Sequence, residues 1–291
     1  MTDTQNEVFK SPVNKIRLFE HGAPGSQNLK LTRKYYTEDM PDGRVKHIVQ
    51  NITDPDIVPY IPDGIGNSTD RQRIPAVLII PGGAFRRLVY NFEGEDVAKW
   101  LNSMGIAAFV LECRLPSDEH DNAEDVPLID AMRAMRVIRG RAQEFGIDEA
   151  KIGVMGFSAG GFMAALLSTA YESDVYADYK YKDEYDKLSA RPDFAVCSYP
   201  VISIDDCIEA GKRYMSEEQV LERISDSKAK ILHKYNPDKL VRPDMPPVFI
   251  CETDDDRTTL SENSVGFYMA ARKAGVSAEL HIFRTGGHGY G

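Results

Sequence analysis

Residues 151–161 read KIGVMGFSAGG, and FMAALLSTAY follows at 162–171. A short apolar run, the turn Gly156-Phe157-Ser158-Ala159-Gly160 and a helix-forming stretch place a serine between a buried strand and a helix, the arrangement of a nucleophile elbow. Turning from strand to helix in so few residues strains the serine backbone. A side chain at Gly156 or Gly160 would collide with the neighbouring strand or helix. Ser158 is therefore the candidate nucleophile. The G-x-S-x-G pattern alone would arise by accident roughly one time in ten in a chain of this length, so its surroundings have to decide.

At 291 residues the chain has room for one large α/β domain with a single core. Its 35 Lys and Arg against 45 Asp and Glu give a net charge of −10. That balance argues against nucleic acid and anionic membranes as partners, and it disfavours polyanionic substrates. The acidic runs 118–125 and 254–256 are expected as solvated surface or loops. The amino terminus, MTDTQNEVFKSP, lacks a basic segment followed by an apolar run. No stretch approaches the roughly 18 consecutive apolar residues of a membrane span, so a soluble, cytoplasmic protein is expected. Cys113, Cys197, Cys207 and Cys251 lack the paired short spacing of a zinc site and read as buried free thiols.

Eight strand-like runs can be picked out, at 14–20, 46–53, 76–83, 107–115, 151–157, 194–201, 247–254 and 278–285. From the third onward most are continuous, as in parallel strands covered on both faces. Helical patterns separate them: Glu93 to Ser103, with carboxylates in its first turn; a long helix with Leu128, Met132, Met135, Ile138, Ala142 and Phe145 on one face; Phe162 to Tyr171; and Leu260 to Ala274, stopped by Gly275. This alternation predicts a doubly wound, mostly parallel α/β sheet of about eight strands with helices on both faces, the first two runs forming an antiparallel edge. Two polar segments interrupt the rhythm, at about 174–191 and 205–240. They are expected as a small helical cap on a single domain spanning 1–291, because insertions at the carboxyl ends of strands overhang the crevice.

A serine hydroxyl needs a base, and the base needs a group that orients it. His288 lies in Thr285-Gly286-Gly287-His288-Gly289 directly after the last strand, where the glycines leave room for an imidazole. The acid should follow the seventh strand. Position there favours Asp256, with Asp255 as the alternative. Backbone N–H groups for a developing oxyanion are expected from Ala159, after the serine, and from Gly83 and Ala84 in Pro81-Gly82-Gly83-Ala84-Phe85. No phosphate-binding glycine pattern is present. Nucleophile, acid and base in this chain order, with a glycine-rich loop after the third strand, describe an α/β-hydrolase fold.

The segments PGGAF (81–85), FEGEDVAKWLNSMGIAAFVLECRLP (92–116), DAMRAMRVIRGRA to GFMAALL (130–167), PPVFICETDDD (246–256) and ENSVGFYMAARKAGVSAELHIFRTGGHGYG (262–291) resemble esterases near the acetyl xylan esterases, the xylanase-associated sugar-ester hydrolases. The similarity covers roughly 76–171 and 245–291. It implies a triad of the elbow serine, the aspartate of a T-x-x-D segment and the histidine of GGHG, falling on Ser158, Asp256 and His288. The chain departs from the family pattern at Thr259-Leu260, where a valine-proline pair is common. It also stops at Gly291 where relatives continue into a closing helix, which would leave His288 on an end prone to fraying.

Together these features predict a serine carboxylesterase that hydrolyses short-chain acyl esters, above all acetyl, on a sugar or xylo-oligosaccharide, without cofactor or metal. Its partner would be a small-molecule ester, with a homodimer as the assembly to test. The competing readings are a prolyl oligopeptidase-like peptidase, a lipase and a non-catalytic binding protein on a hydrolase scaffold.

Overall fold

Continuous apolar runs build the middle of the sheet. In the computed structural model, which describes residues 9–65, 73–214, 216, 218–219 and 229–290 apart from the side chains at 206, 207, 210, 214 and 229, the first strands are β1 (Ile16–Arg17), β2 (Lys34–Asp39), β3 (Val45–Gln50) and β4 (Asp56–Tyr60). They are followed by β5 (Ile74–Ile80), β6 (Leu88–Val89), β7 (Ala107–Glu112), β8 (Ile147–Phe157), β9 (Ala195–Ser198), β10 (Val248–Thr253) and β11 (Ala278–Phe283). Every residue of β7, and β5 from Ala76 onward, is buried. Side chains alternate across a strand, so unbroken burial means that both faces are covered.

The main sheet runs β1-β4-β7-β5-β8-β9-β10-β11. From β7 to β11 its neighbours are parallel, while β4 and β1 continue the edge antiparallel. The fold is an α/β-hydrolase fold. Its helices are α1 (Asp96–Ser103), α2 (Val126–Gly140), α3 (Ala142–Phe145), α4 (Ala159–Ala170), α5 (Ile204–Tyr214), α6 (Ala229–Lys234) and α7 (Ser261–Lys273). The chain passes from β5 outward to β7 and then returns to the other side of β5 as β8. That reversal is a topological switch point, where open α/β sheets form their crevice. The turn after Ile80 and the turn after Phe157 face each other there, with Ile80 paired to Gly156.

α4 is apolar all round and buried from Ala159 to Thr169, as a helix packed on every side must be. It lies against β8, β9 and α2. At the end of β7, Arg114 is fully buried and forks onto Asp130 of α2 through Nη2 at 2.7 Å and Nε at 3.0 Å. Its Nη1 also donates to Ser26 Oγ at 2.8 Å. Next to it, Glu112 accepts from Lys15 at 2.5 Å and Arg33 at 2.8 Å. The amino-terminal segment is thereby tied to the carboxyl end of the sheet. Among the described residues no helix is long and apolar enough to cross a membrane.

Three local expectations change. The run 46–53 supplies β3, which belongs to a separate antiparallel sheet, β2-β3-β6, whereas β4 is the strand beside β7. β4 escaped notice because Pro59 sits inside a five-residue strand that follows a Thr53-Asp54-Pro55 turn. The insertion 174–191 packs along α2 and the 18–22 loop. Arg133 donates to Asp183 at 2.7 Å and pairs with Asp186 at 3.0 Å, while Tyr179 donates to Gly22 O at 2.8 Å. It leaves helix α4 and not the carboxyl end of a strand, so it braces the flank of α2. The insertion 205–240 does leave a strand end, after β9, although 215, 217 and 220–228 lie outside the described residues. Cys113 and Cys197 are buried free thiols and Cys251 is partly buried; the side chain of Cys207 lies outside the described set.

Replacing Asp130 with Ala strands a buried guanidinium and is expected to lower the unfolding free energy by about 3–5 kcal/mol. Urea unfolding followed by circular dichroism measures this. Arg114→Met combined with Asp130→Leu should recover most of the loss, because no charge then stays buried.

Candidate active site

Ser158 ends β8 and starts α4 with φ 52° and ψ −117°, a sparsely populated backbone conformation that costs about 1–3 kcal/mol. Its neighbours show what holds it. A Cβ on Gly156 would fall 2.0 Å from Gly160 O, and one on Gly160 would fall 2.0 Å from Ile80 O. Neither position admits a side chain. The serine N–H donates to Ser198 O and its carbonyl accepts from Phe162 N, each at 3.0 Å. The strained turn is therefore pinned by β9 on one side and by its own helix on the other, with Ser158 only 8% exposed.

The loop after β11 brings His288 to this turn. Ser158 Oγ and His288 Nε2 are 2.9 Å apart, and His288 Nδ1 lies 2.6 Å from Asp256 Oδ2. Asp256 is buried, which by itself pushes its carboxyl pKa up. The hydrogen bond and charge of His288, with the N–H groups of Thr259 and Thr258, more than reverse this and hold the carboxyl below its ordinary range. The two N–H groups sit on Oδ1 at 3.0 and 2.7 Å. Thr259 Oγ1 also donates to Oδ2 at 2.9 Å. Thr259, where the sequence departs from the related family, thus serves the carboxylate directly.

The structure brings Asp256 to the imidazole and gives Asp255 a different partner. Asp255 Oδ1 accepts from the N–H groups of Gly286 and Gly287 at 3.0 and 2.8 Å, and Thr253 Oγ1 donates to Gly287 O at 2.8 Å. The histidine loop, expected to fray, is tied to the end of β10 at its backbone. Glycine suits position 287, where the left-handed φ of 64° strains other residues.

The loop after β5 lies against the serine. A Cβ on Gly82 would be 3.0 Å from Ser158 Cβ and 2.5 Å from Phe157 O. Gly83, Ala84 and Phe85 follow with positive φ of 138°, 56° and 60°. Gly83 O accepts from Arg86 N and Gly82 O from Val89 N, which closes the loop. Among the described residues no acceptor takes the N–H of Gly83 or Ala84. Ala159 opens α4, where N–H groups have no partner within the helix. A cavity of about 20 Å³ beside these turns is lined in part by Pro81, Gly82, Phe85, Leu115, Ala159 and Met163.

Two side chains at this site are missed by sequence reasoning. Tyr199, just after β9, has φ 38°, and its ring packs edge-on against His288 with centroids 5.1 Å apart. Its hydroxyl donates to Glu93 Oε1 at 3.0 Å, while Glu93 Oε2 accepts from Gly82 N–H at 2.8 Å. Glu93 is expected from the sequence in the first turn of a helix. It lies instead in a π-turn, Asn91–Glu95, that turns it inward. An acidic residue between the apolar run of β5 and an amphipathic helix gives no sequence signal for that.

Fold and serine turn together define an α/β-hydrolase. The chain belongs to the BD-FAE family, whose pattern matches residues 65–270, a span that holds Ser158 and Asp256 and ends before His288. It is similar to an acetylxylan esterase of Xylanibacter ruminicola, 31% identical over 218 residues that make up 74% of this chain and 41% of that protein. It is similar also to endo-1,4-beta-xylanase B of Butyrivibrio fibrisolvens, 31% identical over 221 residues, 76% of this chain and 33% of that protein. The chain spans less than half the length of either curated relative. Among solved structures it resembles the acetyl ester-xyloside bifunctional hydrolase from Caldicellulosiruptor lactoaceticus, with 34% identity, a TM-score of 0.66, and 94% of this chain and 87% of that chain covered.

Below the site, Glu252 is buried on β10, accepts from Thr253 N at 2.9 Å and Ser264 Oγ at 3.3 Å, and neighbours the Asp256 carboxylate. Burial raises its pKa to about 8; the Thr253 N–H opposes this and Asp256 adds to it. A folded-state value above the ordinary 4.5 means that stability is fully present below pH 4.5 and drains away as pH rises through 8. Glu252→Gln carries no proton to lose. Its urea midpoint is expected to fall less between pH 5 and pH 8 than that of the wild type, and equal falls in the two proteins would remove Glu252 as the source.

Proposed function

We propose that this protein is a serine carboxylesterase that removes short acyl groups, acetyl above all, from a sugar or xylo-oligosaccharide. The observation that carries the proposal is the unbroken hydrogen-bonded chain from Ser158 Oγ through His288 to Asp256. Ser158 attacks the ester carbonyl and His288 takes its proton through Nε2. The same imidazole then gives a proton to the leaving alcohol. Asp256 holds Nδ1–H and stabilises the imidazolium. The N–H groups of Ala159, Gly83 and Ala84 receive the oxyanion, where one preorganised donor is worth about 10²–10³ in rate. Water then releases the acyl group from the serine by the same route.

The names of the relatives, an acetylxylan esterase and an acetyl ester-xyloside hydrolase, support the sugar side of the proposal. The acyl side rests on room. A cavity of about 20 Å³ holds a group of water or methyl size. Val201, just after β9, donates its N–H to Ser158 O at 3.4 Å, so the chain leaves β9 beside the serine turn.

Ser158→Ala is expected to abolish hydrolysis of p-nitrophenyl acetate and labelling by a fluorophosphonate probe while the circular dichroism spectrum stays that of the wild type; retained turnover would sink the mechanism. Hydrolysis of an aminoacyl-proline amide in preference to acetate esters would turn the assignment to a peptidase. Met163→Ala opens the cavity. It should raise kcat/KM for the butyrate ester relative to acetate by about 10-fold, the worth of one or two methylenes in an apolar pocket.

A further inference from the structure

Glu93 takes no part in the steps above, yet it touches both halves of the apparatus. Its side chain is buried, with 7% of the residue exposed, and each oxygen takes a donor from a different element. Oε2 accepts from Gly82 N–H, in the loop after β5, at 2.8 Å. Oε1 accepts from the Tyr199 hydroxyl, after β9, at 3.0 Å. Gly82 is the peptide immediately before Gly83 and Ala84, so its N–H bond sets the direction in which the chain enters the two proposed oxyanion donors. Tyr199 carries the other link, for its ring lies against His288.

Both partners are themselves constrained. Tyr199 has a left-handed φ of 38°, uncommon outside glycine. Its N–H donates to Cys251 O at 2.7 Å, and its carbonyl lies 3.4 Å from Oγ1 of Thr259, the threonine whose hydroxyl donates to Asp256. A Cβ added to Gly82 would meet Glu93 Oε2 at 2.7 Å and Ser158 Cβ at 3.0 Å, so carboxyl, loop and nucleophile lie in sequence with nothing between them. Among the described residues no lysine or arginine forms an ion pair with Glu93. Burial raises its proton affinity beyond what the hydrogen bonds of Tyr199 and Gly82 and the charges of His288 and Lys46 give back. A buried carboxyl with no ion-pair partner costs stability, and both of its hydrogen bonds here go to the site.

We propose that Glu93 is a positioning residue for the hydrolytic step. Through Gly82 it fixes the oxyanion loop beside Ser158, and through Tyr199 it fixes the ring of His288, so the oxyanion donors and the base keep one mutual geometry. This rests on the proposed Ser158 chemistry, and the two fail separately. If the wild type neither labels with a fluorophosphonate nor hydrolyses p-nitrophenyl acetate, it is the Ser158 assignment that falls.

Given an active wild type, the test is a double-mutant cycle in steady-state kinetics on p-nitrophenyl acetate, with urea midpoints measured alongside. Glu93→Gln keeps the shape but can accept at only one of the two positions. It is expected to lower kcat by about 10- to 100-fold, less than or comparable to the loss of one oxyanion donor, with KM changed by less than about three-fold. Tyr199→Phe removes only the hydroxyl and should lower kcat by a smaller factor. The double variant should lose no more than Glu93→Gln alone, because both changes act through one chain of contacts. A Glu93→Gln protein that folds and keeps kcat within about two-fold of the wild type would overturn the proposal, as would rate losses that multiply in the double variant. Should Glu93→Gln fail to fold, Tyr199→Phe decides alone: an unchanged kcat overturns the proposal and a reduced kcat with an unchanged urea midpoint upholds it.

Discussion

The distance between two backbones governs this site. Where β5 and β8 run side by side, the first turn of α4 comes so close to the end of β5 that Gly160 has no room for a single added carbon against Ile80 O. Gly156 is blocked in turn by Gly160. The serine between them is left with an unfavourable φ and ψ, and the surrounding sheet supplies the rigidity to keep it so. Everything else reaches toward a point set by that contact. The loop after β5 lies on the serine because β5 does, and the histidine loop arrives there because β10 and β11 continue the same parallel sheet.

Around that point the protein concentrates carboxyls of different character. Asp256 is buried but surrounded by donors, and it stays readily ionised. Asp255 is exposed and spends its charge on two glycine N–H groups. Glu252 and Glu93 are buried with fewer donors and hold their protons more tightly. Four acidic residues of similar intrinsic chemistry are thus separated by burial, which raises Glu252 and Glu93, and by the donors that outweigh it at Asp256. The fold brings the donors to these carboxyls from the loops after β5, β10 and β11, from the turn after β9 and from α7.

Much of this was legible in the sequence. Unbroken apolar runs such as AVLII and AAFVLE announce central strands because burial on both faces removes the polar alternation. The turn at Ser158 is legible because Gly156 and Gly160 leave no room for a side chain, and the glycines around His288 because 287 and 289 take a left-handed φ. What stayed hidden depends on side chains meeting across the chain. β2 is an edge strand carrying charge, and β4, between the two-residue β1 and β7, carries a proline, which weakens the pattern. Glu93 reads as surface until the π-turn directs it inward, and Tyr199 reads as one more aromatic in a strand. The placement of 174–191 turned on counting which end of the sheet the chain had reached, since it follows a helix running back from the serine.

Asp255 and Asp256 are consecutive, yet one binds the backbone of the histidine loop and the other its ring. The loop and the imidazole therefore share a single mooring at the end of β10. If that strand shifts by a fraction of an ångström during breathing of the sheet, His288, Asp256 and the loop travel as one piece. Their internal geometry survives, and the misalignment is confined to one gap, between Nε2 of His288 and the hydroxyl of Ser158.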